Sequence, residues 1–71
     1  MTVRKAFMIN FRRLLVEKDY SMKRFSYEHG FDYSAVSSWA NGKVCPKLDT
    51  AFRIASALGV TVDDLLEGAE Q

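Results

Sequence analysis

Residue types that carry covalent and metal chemistry are scarce in this chain of 71 residues. It has one cysteine, Cys45, and one histidine, His29. A lone cysteine cannot form an internal disulfide, and Cys45 with His29 falls short of a metal site. No nucleophile or second carboxylate is recognisably arranged around the histidine. We therefore expect no metal, no cofactor and no small-molecule substrate, and we do not expect an enzyme.

Long apolar runs and strand-like alternation are also missing. No segment is long enough to cross a bilayer and no secretory leader is recognisable, so we expect a cytoplasmic protein without a membrane partner. With 48% hydrophobic and 27% charged residues, the composition is that of a folded chain. Its length predicts one domain over residues 1–71, and the apolar residues recur at helical spacing. The sequence predicts an all-α fold.

The net charge of +1 conceals an uneven distribution. Residues 1–47 contain nine Lys or Arg and four Asp or Glu, whereas residues 48–71 contain one Arg and five acids. The first part therefore carries +5 and the second −4. A basic region attracts phosphates even when the total charge is near zero.

Apolar spacing and capping residues predict five helices. The first runs over about 3–18 and the second over about 22–29, with Ser21 as its N-cap. Asp32 caps a third helix over about 33–40. Pro46 suits the first turn of a fourth helix that ends near residue 58, and Thr61 with Asp64 forms a capping box for a short fifth. The expected apolar face of the fourth helix comprises Leu48, Ala51, Phe52, Ile54, Ala55 and Leu58.

Residues 21–41 have the pattern of a helix-turn-helix. Gly30 permits the left-handed conformation at the bend, and the small Ser26 permits close approach of the two helices. Val36 and Trp39 share the inner face of the third helix, so we interpret Trp39 as core. This geometry is the usual means of laying a second helix into the DNA major groove.

Two sets of polar residues on this unit are candidates for binding DNA. Lys23 and Arg24 lie in the first turn of the second helix, where the helix dipole favours anions, so a docked phosphate would suit them. Simple solvation of both cations remains an alternative. The outer side of the third helix carries Tyr33, Ser34, Ser37, Ser38 and Asn41. That set also describes an ordinary solvated helix.

Beyond the turn, Asn41-Gly42-Lys43 is followed by Pro46 and the tail LDTAFRIASALGVTVDDLL. With these segments the chain resembles, over nearly its whole length, the phage repressor and Cro type of helix-turn-helix, or xenobiotic-response-element (XRE) family. The resemblance implies a compact five-helix, lambda-repressor-like domain. It also implies sequence-specific binding of double-stranded DNA by a small bacterial or phage transcriptional regulator.

The resemblance implies roles for individual residues. Base reading falls to the leading edge and second turn of the recognition helix, at Tyr33, Ser34, Ser37 and Ser38. Contact with the DNA backbone falls to Asn41 and Lys43. Met22 replaces a glutamine that commonly bonds a phosphate, and Lys23 or Arg24 would take over that contact. Leu15 and Ala40 replace an Arg–Glu pair, which exchanges an ion pair for packing.

Two functions remain open at this level. The first is a DNA-binding regulator that acts as a homodimer on half-sites about 34 Å apart. Its dimer interface would use either the fourth-to-fifth helix region or the side of the first helix with Ile9 and Val16. The second is a protein-interaction or antitoxin-like module that kept the fold and reads DNA weakly or not at all. The lack of Arg or Gln on the recognition face and the acidic C-terminal part favour this alternative.

Overall fold

Five α-helices make up the computed structural model, which describes residues 1–70. They are α1 (Val3–Glu17), α2 (Met22–His29), α3 (Tyr33–Ala40), α4 (Leu48–Leu58) and α5 (Val62–Leu65). No strand occurs in the described residues. The all-α, five-helix prediction is therefore confirmed.

Short polar side chains start the helices where the sequence predicts. Ser21 accepts the Arg24 amide at 3.0 Å, and Asp32 accepts the Ala35 amide at 3.3 Å. Thr61 and Asp64 form the expected reciprocal capping box. Each cap satisfies an amide that the first turn would leave without a partner.

Two predicted helix boundaries are shifted. Helix α4 begins at Leu48 rather than at Pro46, and its N-cap, Lys47, forms no side-chain cap bond. Lysine has no acceptor oxygen, so this is the one N-terminus of the five without such a bond. Helix α1 ends at Glu17, one residue before the predicted end, and Lys18 is its exposed C-cap.

Aromatic side chains from α1, α2 and α3 form the centre of the core. The ring of Phe11 lies 5.5 Å from Phe7, 5.6 Å from Phe25 and 6.3 Å from Trp39. Trp39 is only 6% exposed, which confirms its assignment to the core. Leu15 and Ala40 are both buried. The two positions therefore contribute apolar packing between α1 and α3.

A buried amide that the sequence did not reveal joins α1 to the C-terminal segment. Asn10 donates through Nδ2 to the carbonyl of Leu65 at 3.0 Å and to that of Glu67 at 2.9 Å. These bonds satisfy carbonyls at the end of α5 that have no helical partner. Asn10 is therefore a structural residue that fixes α5 against α1.

The predicted apolar face of α4 is partly wrong. Ala51, Ile54, Ala55 and Leu58 are buried, but Leu48 is 77% exposed and Phe52 65% exposed. The four buried residues lie within about 100° on the helix, and Leu48 and Phe52 fall on one flank of that arc. Helix α4 thus presents two large apolar side chains to solvent.

Candidate nucleic-acid interface

Gly30 forms the bend between α2 and α3. It caps α2 in the left-handed conformation with φ of 71°, and the next amide, of Phe31, donates to the Ser26 carbonyl at 2.9 Å. This pairing is the Schellman arrangement that glycine favours, because a Cβ is strained at positive φ. Ser26 is buried at the close approach, and its hydroxyl donates to the Met22 carbonyl. The expected roles of Gly30 and Ser26 are confirmed.

Phe31, the residue after the bend, locks the turn onto the core. Its ring stacks on Phe25 at 5.4 Å and meets Trp39 edge-on at 5.7 Å. On its other side the guanidinium of Arg53 lies 4.7 Å from the ring centre. Sequence reasoning overlooked Phe31, although a large aromatic directly after a helix-ending glycine is a recurrent hydrophobic partner of that motif.

His29, the last residue of α2, contacts the segment that precedes this helix. Its Nε2 lies 3.1 Å from the Tyr20 hydroxyl, and its ring packs 5.1 Å from Phe25. The imidazole is half-buried among aromatic rings. These contacts make His29 a structural residue that fastens the end of α2 to the segment before it.

The outer face of α3 carries the four residues predicted to read bases. Tyr33 is 47% exposed at the N-terminal end, and Ser34 beside it is exposed. Ser37 and Ser38, one turn later, are half-buried. The structure therefore brings the four side chains to one side of one rigid helix, with Tyr33 and Ser34 more accessible than the other two.

Ser37 is coupled to the helix C-cap, Asn41. The Asn41 amide donates through Nδ2 to Ser37 Oγ at 3.2 Å. A predicted base reader and a predicted backbone contact thus hold each other in place, since each restricts the rotamers of the other. The Ser37 hydroxyl proton stays free to donate.

The two cations at the start of α2 differ sharply. Arg24 bonds the Glu28 carboxylate, donates to the Asp19 carbonyl at 3.2 Å, and lies 5.0 Å over the Tyr20 ring. The hydrogen bond and the charge of Glu28 raise the pKa of Arg24 above its ordinary value. Two of its five N–H donors are thus used within the molecule.

Lys23 is exposed and forms no ion pair within residues 1–70. Lys43, on the loop after α3, is likewise exposed and free of ion pairs in the described chain, while its amide donates to the Ser38 carbonyl at 2.9 Å. Free ammonium groups can approach an external phosphate without breaking an internal bond. Lys23 and Lys43 are therefore the better placed cations of the predicted set.

One further cation lies beside the predicted backbone contacts. Arg12 reaches from α1 to the end of α3, where Nη1 donates to the Ala40 carbonyl at 3.5 Å. With Met22 and Asn41 it lines a groove of about 200 Å³. The sequence does not predict this contact, because helical spacing does not reveal which neighbouring helix end a long side chain reaches.

The remaining chemistry of the described residues is modest. Partial burial raises the pKa of the Cys45 thiol above its ordinary value, against a smaller opposing effect of Arg4. Residues 1–70 contain no group of three or more His, Cys, Asp or Glu arranged to hold a metal ion. None of the helices in this part of the chain combines the length and apolarity needed to span a membrane.

A family model described as helix-turn-helix matches residues 11–65. The chain belongs to the XRE family of helix-turn-helix proteins. This XRE-family chain is also similar to a solved structure, the hypothetical transcription factor NHTF from Neisseria. The two are 28% identical with a TM-score of 0.84, over 90% of this chain and 74% of that chain. A search of curated proteins found no match.

The match gives the XRE-family chain its coarse class, that of the DNA-binding transcription regulators. The matched range contains α2, α3 and the loop with Lys43, so the recognition unit lies entirely within the family's pattern. Arg12, which contacts the end of α3, also lies within it.

Proposed function

We propose that this protein binds double-stranded DNA in a sequence-specific manner as a small bacterial or phage transcriptional regulator, with α3 in the major groove. The observation that carries the proposal is the outer face of α3. It presents small polar side chains and one tyrosine on a helix whose inner face is fixed by Val36, Trp39 and Ala40. Because its target is cellular or phage DNA, we place the protein in the cytoplasm.

Base reading is assigned to Tyr33, Ser34, Ser37 and Ser38. Tyr33 packs on a thymine methyl or donates from its hydroxyl, and the serines donate to or accept from base edges. Serine discriminates bases less sharply than a bidentate Arg, Asn or Gln. We therefore expect a moderate specificity in which the tyrosine position contributes most.

Backbone binding is assigned to Lys23, Lys43 and Asn41, with Arg24 in a smaller role. Lys23 and Lys43 are exposed cations without an internal partner in residues 1–70, whereas Arg24 is already bonded to Glu28. A phosphate contact at Arg24 has to compete with that carboxylate. We therefore expect Lys23, not Arg24, to replace the contact that Met22 cannot make.

The protein acts as a homodimer on two half-sites about one helical turn apart, since one module of this size covers only a few base pairs. Two-fold symmetry in the protein then requires an inverted repeat in the DNA.

The test is enrichment of purified protein on a random duplex library at low and at moderate salt. We expect an inverted repeat to be recovered, with binding that weakens steeply as salt rises. A variant with Tyr33→Ala and Ser37→Ala is the matched control, because it leaves the cations intact. It should bind with similar salt dependence but enrich no sequence.

Binding without any enriched sequence by the wild-type protein, or no binding at all, contradicts the proposal. Either result favours the alternative, a protein-interaction or antitoxin-like module. In that case Lys23→Glu with Arg24→Glu should leave the binding of the protein partner intact.

A further inference from the structure

The solvent side of α4 carries two large apolar side chains one turn apart. Leu48 is 77% exposed and Phe52 is 65% exposed. Residues four apart lie on the same side of a helix, so the two form a continuous stripe. Exposed apolar residues that occur singly are ordinary, but a contiguous pair bordered by charged residues is typical of a contact surface.

One acid and one cation accompany this stripe. Asp49 and Arg53 are also one turn apart on α4, and within residues 1–70 neither forms an ion pair. The guanidinium of Arg53 lies over the Phe31 ring. A ring contact occupies the flat face of a guanidinium and leaves N–H groups at its edges to donate to a carboxylate. Arg53 is thus held in place and still able to bind an acid.

An open groove adjoins the stripe. It has a volume of about 430 Å³ and separates α4, at Phe52 and Arg53, from the helix-turn-helix bend, at His29 and Phe31. Its walls combine aromatic rings with one cation. The Arg53 edge of this open groove is accessible to a carboxylate of a neighbouring molecule.

We infer that this face of α4, made by Leu48, Asp49, Phe52 and Arg53, is where two copies of the chain associate, with their α4 helices antiparallel about a two-fold axis near residue 51. In such a contact residue i meets residue j of the partner, and j meets i. Asp49 of each copy then lies opposite Arg53 of the other, because the two positions are equally distant from residue 51. The inference rests on the dimeric binding proposed above and gives it a surface.

The apolar residues obey the same symmetry. Leu48 and Phe52 lie together on the flank of α4 away from Arg53. The two stripes therefore meet on one side of the plane that contains the two helix axes, and the two ion pairs form on the other side. The partner's Asp49 then approaches the edge of the groove at Arg53, and the partner's Phe52 packs on the Leu48–Phe52 stripe. The face is therefore complementary to itself in both charge and apolar surface, which is what a second copy requires.

The alternative surface on α1 lacks this complementarity. Val16 is 79% exposed and Ile9 is 40% exposed, but Lys5 and Arg12 lie one turn before them on the same side of the helix. Two copies paired through α1 would bring like charges together, which destabilises a contact. The α4 face avoids this, since its acid and cation balance.

The contact is small, so the dimer in free solution is weak. A helix of 11 residues is roughly 16 Å long. A standard interface buries about 800 Å² on each partner, and one face of such a short helix buries less. We expect reversible dimerisation in the range of about 1 μM to 1 mM. DNA with two half-sites would strengthen it by holding both copies together.

Sedimentation equilibrium of the full chain without DNA is the first test. We expect Phe52→Asp to weaken dimerisation by about tenfold or more, since it places a carboxylate in the centre of the stripe. Val16→Asp is the matched control, because it alters an apolar residue on α1 that is also largely exposed, and it should leave dimerisation unchanged. A wild-type protein that stays monomeric at about 1 mM, or a loss caused by Val16→Asp alone, overturns the inference.

Charge reversal tests the symmetry itself. Asp49→Arg gives a copy with two cations at the contact positions, and Arg53→Asp gives a copy with two acids. Each variant should dimerise poorly alone, but a mixture of the two should form a heterodimer, and the double variant should dimerise like the wild type. If neither the mixture nor the double variant recovers dimerisation, the antiparallel pairing is wrong.

Binding to a short random-sequence duplex at low salt separates this inference from the proposed function. Phe52→Asp should bind such a duplex as the wild-type monomer does, because Phe52 contacts no DNA. If all proteins bind the duplex but none dimerises, the interface is wrong and DNA binding stands. If the wild type dimerises through α4 but binds no duplex, the interface stands and the proposed function is wrong.

Discussion

Helices α3 and α4 are built in the same way but present opposite chemistry to solvent. Each buries one face, with Val36, Trp39 and Ala40 on α3 and Ala51, Ile54, Ala55 and Leu58 on α4. The outer face of α3 carries serines and a tyrosine, whereas that of α4 carries Leu48 and Phe52. Packing determines only the inner residues. The outer residues therefore distinguish a helix suited to nucleic acid from one suited to protein.

Charge follows the same division. Lys23 and Lys43, the cations beside α3 that are unpaired within residues 1–70, belong to residues 1–47, which carry +5. Helices α4 and α5 belong to residues 48–71, which carry −4. Phosphates would attract the first part and repel the second. The comparison predicts that variants on the two helices affect different partners.

The largest loss of stability is expected for a substitution in the core. Trp39→Ala should cost about 3–5 kcal/mol of unfolding free energy, because it empties a large buried volume on the inner face of α3. Phe52→Ala, on the outer flank of α4, should cost less than about 1 kcal/mol. Thermal or urea denaturation measures both. A stable Trp39→Ala protein would show that the inner face of α3 is wrongly assigned.

Base reading should be lost without loss of fold. Tyr33→Ala with Ser37→Ala should reduce discrimination between the selected site and a scrambled site by about 1–3 kcal/mol. Because both side chains are on the outer face, the melting temperature should move by only a few degrees. Competition binding and a thermal melt give the two numbers. A drop of tens of degrees would assign these side chains to the structure instead.

Gly30 and Gly59 are a matched pair, because one precedes α3 and the other follows α4. Gly30 ends α2 and Gly59 ends α4, both have φ of 71°, and a Cβ would touch nothing within 4 Å at either site. Alanine should therefore cost about 1–2 kcal/mol at each, from backbone strain alone. Only Gly30→Ala should weaken binding to the selected DNA beyond its effect on stability. Equal loss of DNA binding in both variants would remove the special role of the α2–α3 bend.

The neighbouring cations Lys23 and Arg24 should contribute unequally to DNA binding. Lys23→Ala should reduce the slope of log affinity against log salt by about 1, as one phosphate contact is lost. Arg24→Ala should change the slope less, since its guanidinium is bonded to Glu28. Titrations at four or more salt concentrations resolve the difference. The reverse order would mean that Arg24 leaves Glu28 when DNA binds.

The smallest effect concerns the capping box of α5. Hydrogen bonds from the Thr61 amide and hydroxyl lower the pKa of Asp64. A lowered folded pKa adds stability above the unfolded value of about 3.9, and this contribution is lost as pH falls through the folded pKa. Asp64→Asn should therefore melt slightly lower than wild type at neutral pH and converge with it in acid. A gap that persists in acid would assign the effect to something other than ionisation.

The sequence predicted the helices well because local signals determine them. Ser21, Asp32 and Thr61 are caps whose hydrogen bonds lie within four residues, and Gly30 determines its own backbone conformation. Pro46 misled the prediction of the start of α4. Its fixed φ is compatible with a first helical turn, but the chain enters the helix only after Lys47.

Contacts between distant residues were not predictable from spacing. Asn10 bonds carbonyls more than 50 residues away, and Arg12 reaches a carbonyl on α3. The exposure of Phe52 depends on which part of the apolar arc of α4 the other helices cover. The candidate base readers were found from the face they share. The pairing of Arg24 with Glu28 was overlooked, although the two residues are four apart on one helix.

Amide chemical-shift mapping by NMR, on addition of the selected duplex, tests most directly whether α3 and not α4 meets the DNA. We expect the largest changes along residues 33–41 and at Lys23 and Lys43, with small changes on α4 confined to the Leu48–Phe52 stripe if two copies bind. Changes concentrated on α4 or on the outer side of α1, with α3 unaffected, would contradict the assignment of the recognition helix.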